Sequence, residues 1–358
     1  MKNKTISNTT KHNFLTYGMV ILTFLIVQVL LQTGQVSSLM KGLLVPLCSY
    51  VIMAISLNLT VGILGELSLG HAGFMCIGAF ASSFFSVCMA DSMPNAGFRF
   101  FLAILIGAAA AAIAGIIVGI PVLRLRGDYL AIVTLAFGEI IKNLVNVIYL
   151  GKDSSGFHFS MKNAMELNMA ADGKVIINGA QGITGTPHNA TFIIGFILIL
   201  ITLVIVLNLI NSRSGRAIMA IRDNRIAAES VGINITRYKL TAFTISASLA
   251  GVAGVLYSHN LSTLTATQKN FGYNQSIMIL VFVVLGGIGN IRGSIIAAVI
   301  LTLLPELLRG LNNYRMLIYA IVLIVMMIIN WSPTIIDFRK RHSFKSLLLK
   351  NRSVKEAK

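Results

Sequence analysis

The sequence predicts an all-α polytopic membrane protein with about ten transmembrane helices, some of them broken or re-entrant. Of its 358 residues, 56% are hydrophobic and only 11% are charged, whereas a soluble domain carries about 25% charged residues. The mean hydropathy is +0.81. The apolar residues also fall in blocks close to the ~20 residues that a helix needs to cross ~30 Å of hydrocarbon.

Ten apolar segments predict the individual membrane helices. The third and the eighth are rich in glycine, which favours a broken or re-entrant helix over a clean span. The first is longer than the apolar core of a signal peptide, so we interpret it as a retained helix. The transmembrane domain is therefore expected over residues 14–332, between an N-terminus at 1–13 and a basic tail at 333–358. The ten segments are 14–33, 40–61, 67–89, 99–123, 129–150, 190–210, 239–259, 275–289, 294–308 and 315–332.

The distribution of positive charge predicts the orientation in the membrane. The net charge is +17, but the basic residues lie between and after the apolar blocks, which is typical of cytoplasmic loops and argues against a nucleic-acid partner. With both termini inside, 20 lysines and arginines lie on the inner side and 8 on the outer side. The sequence thus predicts a multi-pass protein of the bacterial plasma (inner) membrane, with cytoplasmic termini.

Two long polar loops interrupt the apolar blocks. The outer loop, 151–189, has balanced charge, and its Val175–Ile177 stretch is compatible with one short strand. The inner loop, 211–238, predicts two short helices, the first capped by Ser214 and the second ended by Gly232. Their small apolar faces with basic rims suit either a protein partner or a lipid surface. The many alanines slightly favour the protein, because faces that bind lipid prefer bulky residues.

Four stretches, taken in order, resemble the LivM-type branched-chain amino acid permeases of ABC importers. The inner loop carries Ala227, Ala228 and Gly232 in the spacing of the importer motif E-A-A-x-x-x-G, with Ile226 in place of the glutamate. The other matching stretches are GELSLGHAGFMCIGAF at 65–80 with LGGIGNIRGSIIAA at 285–298, RLRGDYLAIVTLAFGEII at 124–141, and NGAQGITGTP at 178–187.

This resemblance implies a permease subunit that imports branched-chain amino acids, and it implies partners. They are two ATPase subunits, a second permease that makes a heterodimer, and an extracytoplasmic substrate-binding protein. No G-x-x-x-x-G-K-[ST] motif occurs, so we expect no cofactor on this chain, with ATP and magnesium bound by the ATPases. The expected ATPase-docking residues are Arg216, Ala217, Ile218, Ala220, Ile221, Arg222, Asp223, Ala227, Ala228, Glu229 and Gly232.

Glycine clusters in both halves of the chain are candidates for the translocation pathway. Paired broken segments point to a transporter's central site, because broken ends offer free backbone N–H and C=O groups, and they also suit an internal inverted repeat. Close helix packing through small residues is the alternative, which the sequence slightly favours, and the same glycines can serve both purposes. The candidates are Gly65, Gly70 and Gly73 in the first cluster and Gly286, Gly287 and Gly289 in the second.

Four polar residues inside the apolar segments complete the list of pathway candidates: His71, Thr134, Glu139 and Lys142. Glu139 and Lys142 are three residues apart and share a helix face, so they are expected to pair. The pair could line a pathway or fix one helix against its neighbours. His71 could instead be a hydrogen-bonded packing residue.

Other functions remain open on sequence grounds. Glu139 is the candidate ion site of an ion-coupled secondary transporter, and permeases for urea or short amides resemble those for branched-chain amino acids. A membrane-embedded enzyme would need clustered ligands or a nucleophile–base pair. The three cysteines lack metal spacing, and we expect neither a catalytic residue nor a metal ligand.

Overall fold

A computed structural model of the chain describes residues 8–34, 37–125, 127–154, 156–170 and 173–331. The basic tail predicted at 333–358 lies outside them, as do residues 1–7. The described part contains thirteen α-helices. They are α1 Asn8–Gln32, α2 Ser38–Asn58, α3 His71–Cys88, α4 Ala96–Val122, α5 Asp128–Val147, α6 Phe192–Asn211, α7 Arg213–Asp223, α8 Arg225–Ser230, α9 Ile235–Ser258, α10 Gln268–Phe271, α11 Tyr273–Gly286, α12 Ile291–Leu307 and α13 Arg315–Trp331.

Each of the ten predicted apolar segments corresponds to a helix, so the predicted fold class is confirmed. Within the described ranges, eight helices are long and apolar enough to cross a membrane. Two of the ten are shorter, because α11 has 14 residues and α13 has 17. At ~1.5 Å per residue, α11 covers about 21 Å, less than the hydrocarbon thickness. The eighth segment is therefore a broken helix, as its glycines predicted.

The chain divides into two compact units, Met1–Ala298 and Val299–Lys358. In the first unit α2, α3 and α9 form the interior. In the apolar stretches of these helices 83%, 78% and 72% of the length is buried, against 22% for α4. Glycines let the interior helices approach closely. A side chain at Gly254 of α9 would overlap the backbone of Met75 in α3, and one at Gly78 would overlap Gly251. Packing through small residues is how helices associate where no water drives them together.

A small antiparallel sheet lies at one end of the first unit. Its strands are β1 Tyr149–Asp153, β2 Gly156–Ser160, β3 Lys174–Asn178, β4 Ile183–Thr184 and β5 Thr263–Leu264, in the order β2-β1-β3-β4-β5. The strand predicted at Val175–Ile177 is the middle of β3. Because α6 runs from this sheet to α7, the sheet and the loop that carries α7 and α8 lie at opposite ends of α6.

The second unit comprises the end of α12, a 3₁₀ turn at Leu308–Tyr314, and α13. At the start of the turn Arg309 forms an ion pair with Glu306, with 3.0 Å between the guanidinium nitrogen and the carboxylate oxygen. Pro305 lies inside α12 one residue before Glu306.

Candidate transport pathway and docking loop

The glycine breaks of the two halves of the chain touch each other. α2 continues into a π-helical turn, Leu59–Leu64, which ends at Gly65 in the left-handed region (φ 78°). In the second half, Gly287 and Gly289 take φ values of 94° and 80° between α11 and α12. A side chain at Gly62 would overlap the backbone of Gly289. The clusters that the sequence paired only by pattern are therefore neighbours in space.

A buried asparagine holds the second break against the first. Asn58, the last residue of α2, is fully buried. Its Oδ1 accepts a hydrogen bond from the Gly289 amide at 2.8 Å, and its Nδ2 donates to Ser294 Oγ at 2.8 Å. On the other side of the break, Gly286 and Gly293 pack so closely that a side chain on either would overlap the other's backbone. Asn58 thus satisfies an amide that the interrupted helix leaves without a helical partner.

The first break packs against α5 through Gly70 and Gly73. A side chain at Gly70 would overlap the carbonyl of Thr134, and one at Gly73 would lie 2.8 Å from Gly138 Cα. Thr134 is fully buried, and its Oγ1 accepts a hydrogen bond from the Leu69 amide at 3.0 Å. These residues thus sit at a tight helix contact, and whether any of them also lines a pathway stays a prediction.

His71 begins α3 and is buried among polar partners. Its Nε2 lies 2.7 Å from Ser56 Oγ, and the neighbouring Ala72 amide donates to Ser276 Oγ at 3.0 Å. Side chains of α2 and α11 therefore fix the first turn of α3. These contacts are those expected of a hydrogen-bonded packing residue, one of the two interpretations that the sequence allowed for His71.

Glu139 and Lys142 form the predicted ion pair, with 2.5 Å between Lys142 Nζ and Glu139 Oε2. Glu139 Oε1 also accepts hydrogen bonds from the Tyr273 amide at 2.8 Å and from Gln268 Nε2 at 3.1 Å. Lys142 Nζ donates to Gln268 Oε1 as well. The carboxylate thus meets the positive amino end of α11 and ties α10 and α11 to α5. Both of its oxygens already accept hydrogen bonds, which disfavours it as an ion-coupling site.

The loop between α6 and α9 folds as the two predicted short helices, α7 and α8. The structure corrects the first cap: Ser212 Oγ, not Ser214, accepts from the amide of Gly215 at 3.1 Å. The reason is position, since Ser214 already lies inside α7, where the cap must precede the helix. Asn224 caps α8 by accepting from the Ala227 amide at 3.0 Å. Gly232 ends it with φ 83°, as predicted.

The two short helices bury one face and expose the other. Ile218, Ile221 and Ala228 are buried, the latter two in a cluster with Ile235. Of the other predicted docking residues, Ala217 and Ala220 are half-buried, while Arg216, Arg222, Asp223, Ala227, Glu229 and Gly232 are exposed. Beside them Ile226 and Val231 are 81% and 74% exposed. One face of the loop is therefore packed against the rest of the protein, and the opposite face exposes apolar side chains.

Two basic residues connect this loop to the first glycine break. Arg222, near the end of α7, donates from Nη1 to the carbonyl of Gly62 at 2.9 Å, and its Nε and Nη2 bind Asp223 Oδ1. Lys239, in the first turns of α9, forms an ion pair with Glu66. Both side chains of this pair are largely buried, with relative exposures of 8% and 14%. The loop is thus bonded to the 62–66 segment on both sides of α8.

A cavity of about 340 Å³ opens between the loop and the break. Arg222, Arg225, Lys239 and Glu66 provide its charged lining. Within the described residues, no group of three or more His, Cys, Asp or Glu side chains could hold a metal ion.

Comparison with known proteins identifies the family. Residues 39–329 match the model of a family described as the permease component of branched-chain amino acid transport systems. The chain belongs to this family. The match covers the helices from α2 to α13 and the α7–α8 loop, and it agrees with the multi-pass helical fold.

Individual relatives agree with this assignment. The chain is 35% identical over 293 residues to the high-affinity branched-chain amino acid transport system permease protein LivM of Escherichia coli, and 34% identical to LivM of Salmonella typhimurium. Each alignment covers 79% of this chain and 66% of the relative. LivH of Salmonella typhimurium is 24% identical over 262 residues, 71% of this chain and 79% of LivH. No solved structure matches.

Three residues of this permease that organise the site were missed by the sequence analysis: Asn58, Glu66 and Lys239. Asn58 carried a signal, since a lone asparagine at the end of an apolar segment needs hydrogen-bond partners. Lys239 was counted only as a loop charge. Its partner Glu66 precedes α3 and is 173 positions away in the chain, so no local pattern could pair them.

Proposed function

We propose that this chain is the permease subunit of an ATP-driven ABC importer that carries branched-chain amino acids into a bacterial cell across its inner membrane. The observation that carries the proposal is the α7–α8 loop. It exposes Ile226 and Val231 while its opposite face is bonded to the membrane domain. Such a loop suits a surface that receives force from another protein, and the family description supplies the transport role.

The proposed partners are two ATPase subunits docked on α7 and α8, a second permease subunit and an extracytoplasmic binding protein. Burying Ile226 and Val231 would stabilise the docked state by about 1.5–3 kcal/mol for each side chain that becomes fully buried. Similarity to both LivM and LivH, two permease proteins of such systems, supports a second permease. ATP and magnesium would bind to the ATPases.

The proposed orientation places α7, α8 and both termini in the cytoplasm. It follows from the excess of lysine and arginine on that side. The small sheet then lies on the outer face, where a binding protein would deliver the substrate. We place the translocation pathway beside the touching breaks at Gly62 and Gly289, because paired interrupted helices are typical of a transporter's central site.

Reconstitution of the complete complex in proteoliposomes tests this function. The ATPases and ATP are enclosed in the vesicle lumen, and the binding protein is added outside. Uptake of radiolabelled leucine should then require ATP, and it should persist after ionophores collapse all ion gradients. Uptake driven by a gradient without ATP would establish the ion-coupled alternative instead. Competition by excess unlabelled urea or acetamide, but not by valine or isoleucine, would refute the substrate assignment.

The docking surface has its own test. Ile226→Asp places a charge on the exposed face of α8, so the ATPases should no longer co-purify with the permease. Thr236→Asp, an exposed position at the start of α9, is the matched control and should leave co-purification unchanged. Normal co-purification with Ile226→Asp would contradict docking at α8.

A further inference from the structure

We propose that Arg222 and Lys239 are positioning residues that transmit movement of the α7–α8 loop to the glycine break at residues 62–66. This inference rests on the proposed function, because it assigns the residues that would join the docked ATPase to the pathway. Neither residue needs to touch the substrate. Each would act through the backbone segment that it holds.

The first connection is made to a carbonyl in the π-helical turn that ends α2. Gly62 lies in the π-helical turn Leu59–Leu64, and Gly65 then leaves the helix with positive φ. Turns of this kind occur often at functional sites, and carbonyls at a helix end need partners from outside the helix. Arg222 supplies one through Nη1, while its aliphatic stem lies so close to Gly65 that a side chain there would come within 2.6 Å of Arg222 Cγ.

The second connection is the ion pair between Lys239 and Glu66, which is largely shielded from solvent. Lys239 and Glu66 are mostly buried. Removing one partner of such a pair leaves a charge without compensation, so the pair resists separation. Glu66 directly follows Gly65, which ends the π-helical turn, and Lys239 belongs to α9, the helix that follows α8. Arg222 at the end of α7 and Lys239 in α9 thus flank α8 and contact the same short backbone segment, one at Gly62 and one at Glu66.

The segment passes the displacement to the second half of the permease. Gly62 contacts Gly289, and Asn58 binds the Gly289 amide directly. Both breaks would then move together when the loop moves. A contiguous chain of contacts is only a candidate route, and energetic coupling between its ends has to be measured.

The experiment compares ATP hydrolysed per leucine transported in the reconstituted complex. Arg222→Gln removes the guanidinium but leaves the exposed face of α8 intact. Because Arg222 is also an expected docking residue, the readout is the ratio measured in the complexes that form: ATP consumed per leucine should rise about tenfold, as for the loss of a hydrogen bond from a charged donor. Arg237→Gln, an exposed arginine at the start of α9, should keep the wild-type ratio.

A charge exchange tests the second connection independently of whether Arg222→Gln folds. Lys239→Glu and Glu66→Lys should each raise the ratio, and the double variant should restore it to within about threefold of wild type. A parallel fall of hydrolysis and uptake with an unchanged ratio would show that the residues only support the fold, and would overturn the inference. Failure of wild-type ATP-dependent uptake would instead refute the proposed function.

Discussion

Replacing Asn58 by alanine should destabilise the permease at the meeting point of its two breaks. The change removes two hydrogen bonds of 2.8 Å, one to the Gly289 amide and one to Ser294 Oγ. The Gly289 amide then lacks its partner, which costs about 1–3 kcal/mol. Ser294 keeps its bond to the Asn290 carbonyl, so loss of the Asn58–Ser294 pair adds only about 0.6–1.7 kcal/mol. The expected total is about 2–5 kcal/mol.

The three cysteines make the measurement direct. Cys48, Cys76 and Cys88 are free and buried, so a thiol-reactive fluorescent dye labels them only as the protein unfolds. In detergent, Asn58→Ala should lower the Tm measured with this dye by about 3–6 °C. The dye response of the unfolded protein serves as the common end point for all variants.

Ser294→Ala provides the comparison, because it removes the Asn58–Ser294 bond and leaves the Gly289 amide satisfied, with only the buried Asn58 Nδ2 donor losing its partner. It should lower the Tm by less than Asn58→Ala does. The double variant should resemble Asn58→Ala alone, since the two single variants share one bond. Equal shifts for the two single variants, or no shift for Asn58→Ala, would refute the assignment of Asn58 as the residue that holds the second break.

Three further predictions follow from single contacts. Gly254→Ala should cost about 1–3 kcal/mol by forcing α3 and α9 apart, whereas Gly42→Ala, which has open space around it, should not lower the dye-measured Tm. Glu139→Ala should destabilise the protein more than Glu139→Ala combined with Lys142→Met, because the single change leaves a largely buried ammonium group unpaired; equal Tm values would contradict this. Gly232→Pro should reduce leucine uptake at least tenfold relative to ATP hydrolysis, because proline cannot take the φ of 83° that ends α8, and unchanged uptake would count against it.

The helices were predictable because each carries its own signal. A run of about 20 apolar residues has few alternatives to a membrane helix, and all ten such runs are helical. The start of the third segment was placed at residue 67, but α3 begins at His71, because the chain from Gly65 to Gly70 forms the break itself. Of the five strands of the sheet, the sequence predicted only β3. Two of its strands have two residues each, and β5 joins from a part of the chain about 80 positions beyond β4.

In the site, too, features set by neighbouring residues could be predicted, whereas contacts between distant segments could not. Gly232 could be assigned as a helix-ending residue because such signals act over three or four positions. The bond from Arg222 to Gly62 spans 160 positions and ends on a backbone carbonyl, an acceptor that every residue possesses. The residue type at position 62 therefore gives no sign of the bond to Arg222. Glycine is needed there for another reason, the close approach of Gly289 and Asn58. Glycine clusters therefore predicted where the breaks lie, whereas the residues that contact the breaks can be identified only when two distant segments are brought together.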